Sequence, residues 1–282
     1  MGTELYSRID GAQELFDYTL QKFVDLGNIS VDTAECYGFG VCEKLIARIP
    51  IELKGQIKIF SKFGHRFIDG SKQKSFTRDS IEQQLLSSIQ NTGRRYLDGY
   101  FFHSEDNDTF FRATPWDFLL EQRSKGLINK LGLSVKHDLI VAGDLEQVTS
   151  MKKFGLEVLQ CVLNPLHPES TYKAIAIARE QKVEILGRVV LAKGEILKLK
   201  IEELLILTET DNHFYKEFVD LFCERYPLLI GSLDIAVKTA VAIDWAFKHA
   251  DSVILAQSSK HQVDLNVSVI RILSQIGQIH PR

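Results

Sequence analysis

The chain has 282 residues, of which 45% are hydrophobic and 25% are charged, and its formal net charge at pH 7 is −3. This length is enough for one large α/β domain or two ordinary ones, and the composition is that of a water-soluble globular protein. So small a net charge gives no electrostatic reason to expect nucleic acid or an anionic membrane as a partner. We find no secretory leader and no apolar run that would cross a bilayer, so we expect a cytoplasmic protein.

The cysteines lie at positions 36, 42, 161 and 223. Their spacing matches no metal-binding motif, and reduced thiols are typical of cytoplasmic proteins. We therefore expect free thiols and no metal ion. Cys36 is interpreted as a small buried residue rather than as a reactive thiol.

Strand and helix patterns alternate along the whole chain. The predicted strands cover residues 1–4 (a stub), 29–32, 57–62, 96–103, 130–135, 158–164, 184–190 and 253–257. A stretch of helical periodicity follows each strand. Eight such units predict an α/β protein, a parallel sheet closed into a (β/α)8 TIM barrel, with residues 1–282 as a single domain. A doubly wound open sheet is the alternative, but the sequence has no GxGxxG or P-loop after its first strand.

Two connections are longer than a barrel loop requires. Residues 194–232 follow the seventh predicted strand, and residues 104–114 follow the fourth. Long loops at the catalytic face of a barrel commonly form lids or substrate walls, which is what we expect of both segments. The expected wall residues are Phe39, His65, Phe67, Phe110 and Phe111.

Polar side chains follow three consecutive predicted strands. Asp32 ends the second strand, and Tyr37 lies in the turn of small residues after it. Lys62 ends the third strand and His103 the fourth. Taken singly, each has an ordinary structural explanation, such as a helix cap or a solvated strand end. Barrel enzymes carry their active sites at the carboxyl ends of the strands, so we expect the four side chains to converge there.

These residue types suit proton transfer to a carbonyl oxygen. The pKa of a phenol is near 10, and a lysine ammonium beside Tyr37 would lower it. Asp32 would hold Lys62 charged and in place, and a neutral His103 would orient a substrate carbonyl. Reduction of that carbonyl also needs a hydride. No side chain supplies one, so a nicotinamide cofactor is implied.

The sequence resembles the aldo-keto reductases over nearly its whole length. The motifs that carry the resemblance are DTAECYG (32–38, similar to DTAxxYG), SKFG (61–64), LDGYFFH (97–103, similar to LDx(Y/F)xxH), GLINKLGLS (126–134, similar to GxIxxxGxS) and Gln160 with Asn164 and Pro165. The resemblance implies Tyr37 as general acid and base, with Lys62 and Asp32 as its tuning partners and His103 as the residue that orients the carbonyl.

The same resemblance implies a cofactor site along the barrel mouth. Ser134 and Gln160 would hold the nicotinamide carboxamide, and the loop after the eighth strand would hold the adenosine phosphate. The candidate cofactor-binding residues are Ser134, Gln160, Arg188, Ser258, Lys260, Gln262 and Asn266.

The sequence departs from the family pattern at several positions. Val135 stands where many members have an asparagine, and Arg188 stands where many stack an aromatic ring, a role that a planar guanidinium can also fill. Ser258, Lys260 and a helix amino terminus suit a phosphate, although Gln262 replaces a frequent arginine. These residues favour NADP(H) and leave NAD(H) open. We also expect the barrel to lack the hairpin that usually closes its amino-terminal end in this family.

We therefore expect an NAD(P)H-dependent oxidoreductase that reduces an aldehyde, ketone or keto sugar, or runs the reverse reaction. A cofactor-binding regulatory or assembly barrel with little turnover is the alternative. A third interpretation, a Schiff base on Lys62, is disfavoured because Asp32 would keep that amine charged. The substrate, the direction of the reaction and the choice between monomer and homo-oligomer stay open.

Overall fold

The computed structural model describes residues 1–27, 29–68, 70–166 and 169–279. Its strands are Ile29–Asp32 (β1), Ile57–Phe63 (β2), His65–Ile68 (β3), Ser71–Lys74 (β4), Leu97–His103 (β5), Ile128–Ser134 (β6), Val158–Val162 (β7), Glu184–Arg188 (β8) and Ser252–Val253 (β9). Seven of them, in the order β1-β2-β5-β6-β7-β8-β9, form one parallel sheet. β3 and β4 form a separate antiparallel hairpin, which the sequence patterns did not predict.

Helices connect the strands of the sheet. The α-helices are Ala12–Val24 (α1), Val41–Ala47 (α2), Ile51–Lys54 (α3), Arg78–Thr92 (α4), Trp116–Ser124 (α5), His137–Val141 (α6), Glu146–Thr149 (α7), Glu169–Glu180 (α8), Ile201–Thr208 (α9), Asn212–Arg225 (α10), Leu233–His249 (α11) and Lys260–Gln275 (α12). Among the described residues, no helix has the length and apolar character that a membrane crossing requires.

Residues 1–3 join the two edges of the parallel sheet. The Asp32 amide donates a hydrogen bond to the Met1 carbonyl at 2.8 Å, and the Thr3 amide donates one to the Asp32 carbonyl at 3.0 Å. On the other side, the Gly2 amide donates to the carbonyl of Leu255, just beyond β9, at 2.9 Å. The predicted stub of a first strand therefore occupies the eighth position around the sheet. The predicted (β/α)8 barrel is confirmed.

Aromatic rings fill the interior of the barrel. The rings of Phe60 and Phe101 lie 5.5 Å apart, centroid to centroid. They fit because the facing positions on neighbouring strands have no side chain: a Cβ on Gly132 would lie 2.4 Å from the Phe101 ring, and one on Gly99 would lie 2.8 Å from both rings. Such distances are far below van der Waals contact, so glycine at these two positions is a packing requirement.

Two predicted elements are shorter in the structure than the periodicity suggested. β9 ends at Val253, whereas the predicted strand continued to residue 257, because beyond Val253 the chain makes only single backbone bonds to β8 and to Gly2. The helix predicted over residues 139–154 is divided into α6, α7 and a 3-10 turn. Gly143, with a φ of 75°, ends its first part in a left-handed conformation that glycine adopts easily.

The two phenylalanines of the expected wall at residues 104–114 pack in or against the core. The Phe110 side chain is completely buried, and its ring lies 5.0 Å from that of Trp116 and 5.3 Å from that of Phe154. The prediction that Phe110 faces a substrate is wrong, because a large ring next to other aromatic rings gains more by leaving water than by lining an open mouth. Phe111 packs on the same cluster. The side chain of Phe67, another expected wall residue, lies outside the described part of the chain.

The long segment after β8 contains α9 and α10, which pack against α11 and α12. Three phenylalanines of α10, Phe214, Phe218 and Phe222, stack along one buried face. The start of the segment lies near the barrel mouth, since the charge of Lys193 acts on His137, the first residue of α6. Its role as a lid or substrate wall stays a prediction.

Candidate active site

A buried ion pair lies at the carboxyl ends of β1 and β2. Asp32 is the last residue of β1, and its Oδ1 lies 2.7 Å from the Nζ of Lys62. The ammonium also donates to the Thr33 carbonyl at 2.9 Å, and the Lys62 side chain is 2% exposed. A buried charge is tolerated when it is paired and hydrogen-bonded, and here both conditions hold. The predicted contact between Asp32 and Lys62 is present.

Tyr37 is held next to this pair by the turn between β1 and α2. Gly38 has a φ of 60°, and a Cβ at this position would lie 2.5 Å from the Cβ of Ser7. The turn therefore needs a glycine there, and this requirement sets the direction of the preceding phenol. The Lys62 Nζ lies 4.9 Å from the centroid of the Tyr37 ring. This distance is typical of a cation over an aromatic face.

His103 completes the group from the end of β5. Its ring lies 6.1 Å from the Tyr37 ring at an interplanar angle of 81°. Side chains from β1, β2, β5 and the first turn thus meet at one mouth of the barrel, because parallel strands bring their carboxyl ends to the same face. The structure brings together all four side chains that the strand ends predicted.

The pKa of Tyr37 differs from the expectation. Burial raises the pKa of this phenol well above its ordinary value near 10, and the negative charge of Asp32 raises it further. Arg188 acts in the opposite direction but does not outweigh them. The expected net lowering of this pKa is therefore wrong for this structure, because burial of the phenol outweighs the positive charge near it. At neutral pH Tyr37 carries its proton.

Gln160 lies in the middle of β7, and its side chain contacts the ion pair. Its Nε2 donates to Oδ1 of Asp32 at 2.7 Å, the same oxygen that accepts from Lys62. The other amide atom, Oε1, is buried and has no hydrogen-bond partner within the part of the chain that the structure describes. The sequence alone gave no sign of the contact with Asp32.

Ser134 and Arg188 lie on either side of Gln160, at the ends of β6 and β8. Ser134 is 2% exposed, and its hydroxyl oxygen lies 3.4 Å from that of Ser104. Arg188 donates from one terminal nitrogen to the Val135 carbonyl at 3.4 Å, while its Nε is buried without a partner among the described residues. Burial, Arg188 and Lys193 lower the pKa of His137. The two cations act on this imidazole against the opposing charge of Asp138.

The four predicted phosphate-site residues surround the start of α12. Ser258 donates from its amide and its hydroxyl to Oε1 of Gln262, at 2.8 and 3.0 Å. Ser259 is the cap of α12, since its hydroxyl accepts from the Gln262 amide. Lys260 pairs with Glu14 of α1 and lies over the Tyr18 ring, and Asn266 is buried within the helix.

The sequence analysis placed His65 among the expected wall residues but missed its contacts with His103 and Glu105. The His65 ring stacks on the His103 ring, with centroids 4.4 Å apart and planes 28° apart. Cys36 Sγ lies 3.8 Å from His103 Nδ1, and Glu105 Oε1 lies 2.8 Å from His65 Nε2. Although burial opposes its ionisation, hydrogen bonds from Lys74 and His65 hold the pKa of Glu105 below its ordinary value. Glu105 lies two residues beyond His103. This spacing was the one sign in the sequence that Glu105 lies near the site.

The sequence profile of the aldo/keto reductase family matches residues 9–279. The chain belongs to the aldo/keto reductase family. An aldo-keto reductase of Pseudocercospora fijiensis is 30% identical over 115 residues, which are 41% of this chain and 37% of that protein. The chain thus matches well under half the length of this relative.

Solved structures of aldo-keto reductases share the fold. The enzyme from Klebsiella pneumoniae, in complex with NADPH, superposes with a TM-score of 0.67 at 16% identity, covering 100% of this chain and 91% of that one. The holo form of an aldo-keto reductase from Bacillus halodurans gives 0.68 at 19% identity, covering 96% and 85%. At these identities the likeness supports the barrel fold alone.

Proposed function

We propose that this aldo/keto reductase uses NAD(P)H to reduce the carbonyl of an aldehyde, a ketone or a keto sugar to an alcohol, or catalyses the reverse reaction. The observation that carries the proposal is the convergence of Asp32, Tyr37, Lys62 and His103 at one barrel mouth. Family membership supports an oxidoreductase independently of this geometry.

Tyr37 is the proposed proton donor. Because burial keeps its pKa well above neutral, the phenol is protonated when a carbonyl arrives. Charge develops on the carbonyl oxygen as the carbon is reduced, and the phenol proton moves to that oxygen. The ammonium of Lys62, 4.9 Å from the ring, then stabilises the phenolate until solvent returns the proton.

Asp32 and His103 are proposed to orient the reaction. Asp32 fixes the Lys62 ammonium through a 2.7 Å contact, so that the positive charge stays below the phenol ring. His103, at the end of β5, would donate a hydrogen bond to the carbonyl oxygen and so hold it within reach of Tyr37. Positioning of this kind removes the entropic cost of bringing donor and acceptor together.

The residues at the mouth fit a nicotinamide. Gln160 Oε1 and Arg188 Nε are buried polar atoms without partners among the described residues, and a bound carboxamide and pyrophosphate would supply an N–H donor for the first and an acceptor for the second. Ser134, which pairs with Gln160 in the sheet, adds a hydroxyl. When bound, the nicotinamide supplies the hydride that the carbonyl carbon needs.

NADP(H) is the proposed preference, with NAD(H) as the alternative. The amino terminus of α12 offers partial positive charge, with Ser258, Lys260, Gln262 and Asn266 around it. Lys260 is committed to Glu14 in this structure, so it would have to exchange a carboxylate for the 2′-phosphate. The four cysteines, which form no disulfide within the described residues, support a cytoplasmic location as a further proposal.

The test compares the wild-type chain with Tyr37→Phe. We expect both proteins to bind NADPH, followed by its fluorescence, and only the wild type to turn over a panel of aldehydes, ketones and keto sugars. The expected loss in kcat is about 10²–10⁴-fold, the usual contribution of a general acid. Tyr215→Phe, a partly buried tyrosine on α10, is the matched control and should keep full activity.

Two results would contradict the proposal. Equal turnover by wild type and Tyr37→Phe would remove the phenol from the chemistry. Tight NADPH binding with no turnover of any carbonyl would instead favour the cofactor-binding regulatory barrel.

A further inference from the structure

Three side chains with metal-binding atoms converge beside the proposed catalytic histidine. Cys36, His65 and His103 each offer one ligand atom, and these atoms all lie within 4.8 Å of one another. Cys36 and His65 are buried, and His103 is partly buried at the mouth. Cys36 and His103 are 67 residues apart in the chain, which is why the spacing of residues along the sequence predicted no metal.

We propose that Cys36, His65 and His103 bind a zinc ion. A thiolate and two imidazoles form a ligand set that zinc favours, and three protein ligands leave the fourth position open. In a tetrahedral site with Zn–S of about 2.3 Å and Zn–N of about 2.0–2.1 Å, sulfur and nitrogen lie about 3.6 Å apart. Cys36 Sγ and His103 Nδ1 lie 3.8 Å apart before any adjustment.

The surroundings of His65 are those of a metal-binding histidine. Its Nε2 lies 2.8 Å from Glu105 Oε1, and the same carboxylate oxygen lies 2.7 Å from Lys74 Nζ. A histidine that binds a metal through one ring nitrogen usually donates the N–H of the other to a carboxylate, which fixes the ring and makes the ligand more basic. Glu105 is in place to do this, with Nδ1 of His65 as the ligand atom.

The two imidazole rings need one adjustment. Their planes are only 28° apart, so both can point a lone pair at one ion only if the His103 ring rotates about its Cβ–Cγ bond. His65 is fixed by Glu105, and His103 is the more exposed of the two. Binding therefore turns His103 away from a carbonyl. Zinc is expected to inhibit the reductase competitively with the carbonyl substrate, a consequence that rests on the proposed function.

Binding also involves a proton. The Cys36 thiol must lose its proton to solvent when the sulfur–zinc bond forms, and both imidazoles must be neutral. Affinity is therefore expected to increase with pH across the neutral range.

The test is a titration of the reduced, metal-free full chain with Co²⁺, a coloured substitute for zinc. We expect one equivalent to produce a thiolate-to-cobalt charge-transfer band that Zn²⁺ then removes. Cys36→Ser should lose the band. Cys223→Ser removes a thiol on α10 that is more exposed than Cys36, and this variant should keep the band. Glu105→Gln should keep the band and weaken binding about 10–100-fold.

Each outcome decides the proposal. Absence of the band in the wild type, or its survival in Cys36→Ser, would overturn it. Circular dichroism, measured in parallel, checks that Cys36→Ser is folded. His65→Gln, which should also lower the affinity for Co²⁺, tests the same site through a second ligand.

The titration needs no turnover, so it is independent of the reductase assay. If carbonyl reduction fails and the cobalt band appears, the zinc site stands without the reductase. If reduction is found and the band is absent, only the zinc site falls. Inhibition by Zn²⁺, expressed relative to the uninhibited rate of each variant, should be weaker in Cys36→Ser than in Cys223→Ser.

Discussion

Gln160 and Asp32 meet across the barrel, with Nε2 of the amide 2.7 Å from Oδ1 of the carboxylate. This oxygen also accepts from Lys62, so one atom of Asp32 carries two short hydrogen bonds. The carboxylate is thereby fixed from β2 on one side and from β7 on the other. The cofactor candidate on β7 and the proposed catalytic ion pair form one network.

Gln160→Met tests this network. The substitution keeps the length of the side chain and removes the donor to Asp32, so we expect the free energy of unfolding to fall by about 1.5–3 kcal/mol, the range for a hydrogen bond to a charged group. NADPH affinity should fall as well. The measurements are urea unfolding and NADPH fluorescence titration.

The control for Gln160→Met is Gln181→Met. Gln181 is tied to backbone groups of Val148 and Lys152, away from the barrel mouth. The Gln181→Met variant should be less stable than the wild type and keep its affinity for NADPH. Equal affinity in both variants would show that Gln160 has no part in the cofactor site.

Lys62→Met should be strongly destabilising. It leaves the Asp32 carboxylate buried without its cation, and breaking a buried pair from one side typically costs about 3–5 kcal/mol in the free energy of unfolding. The double variant Asp32→Asn with Lys62→Met should recover much of the loss, because no uncompensated charge remains. Urea unfolding measures both.

The exposed pair of Lys173 and Glu169 provides the comparison for Lys62→Met. Lys173→Met should change stability by no more than about 0.5 kcal/mol, since surface ion pairs contribute little. A small effect at Lys62 as well would mean that the Asp32 carboxylate is protonated or solvated in the folded protein.

Alkaline pH should reveal the raised pKa of Tyr37. The folded state holds this proton above pH 10, where the unfolded chain releases it. The contribution to stability is therefore complete below about pH 10 and is lost as the pH rises toward the folded-state pKa. We expect wild-type stability to fall more steeply above pH 10 than that of Tyr37→Phe. Identical pH profiles of the urea midpoint would contradict the burial of an un-ionised phenol.

Release of Lys260 from Glu14 should change cofactor selection. Glu14→Gln removes the competing carboxylate, so we expect NADPH to bind several-fold more tightly, with little change for NADH. Lys260→Met should instead weaken the binding of NADPH, again with little change for NADH. Both effects should weaken at high salt, because the charges are exposed and screened. A parallel change in the affinity for NADH would place Lys260 away from the 2′-phosphate.

Gly132→Ala should damage the barrel interior. The added methyl would lie 2.4 Å from the Phe101 ring, and overpacking of this kind typically costs about 1–3 kcal/mol in the free energy of unfolding. Adding Phe101→Leu to Gly132→Ala should restore part of the lost free energy of unfolding. Gly55→Ala, where the new methyl meets open space and the φ is −72°, should change little. Thermal unfolding distinguishes these outcomes.

Much of this protein was predictable from local patterns. Asp32, Lys62 and His103 could be placed at one mouth because strand ends follow from residue periodicity, and parallel strands end on the same face of a barrel. Tyr37 could be placed because it follows Asp32 after a short turn of small residues. Strand limits were less certain, since β9 depends on what pairs with it rather than on its own residues.

Only the tertiary structure decided which side chains contact one another around these positions. Gln160 meets Asp32 from 128 residues away, Lys260 meets Glu14 from 246, and Cys36 meets His103 from 67. Such pairs depend on the curvature of the sheet and on rotamers, and no periodicity of the sequence contains either. The pKa of Tyr37 was misjudged for the same reason: the charge of Lys62 was foreseeable, but the extent to which the phenol is buried and the closeness of the Asp32 charge exist only once the barrel is closed.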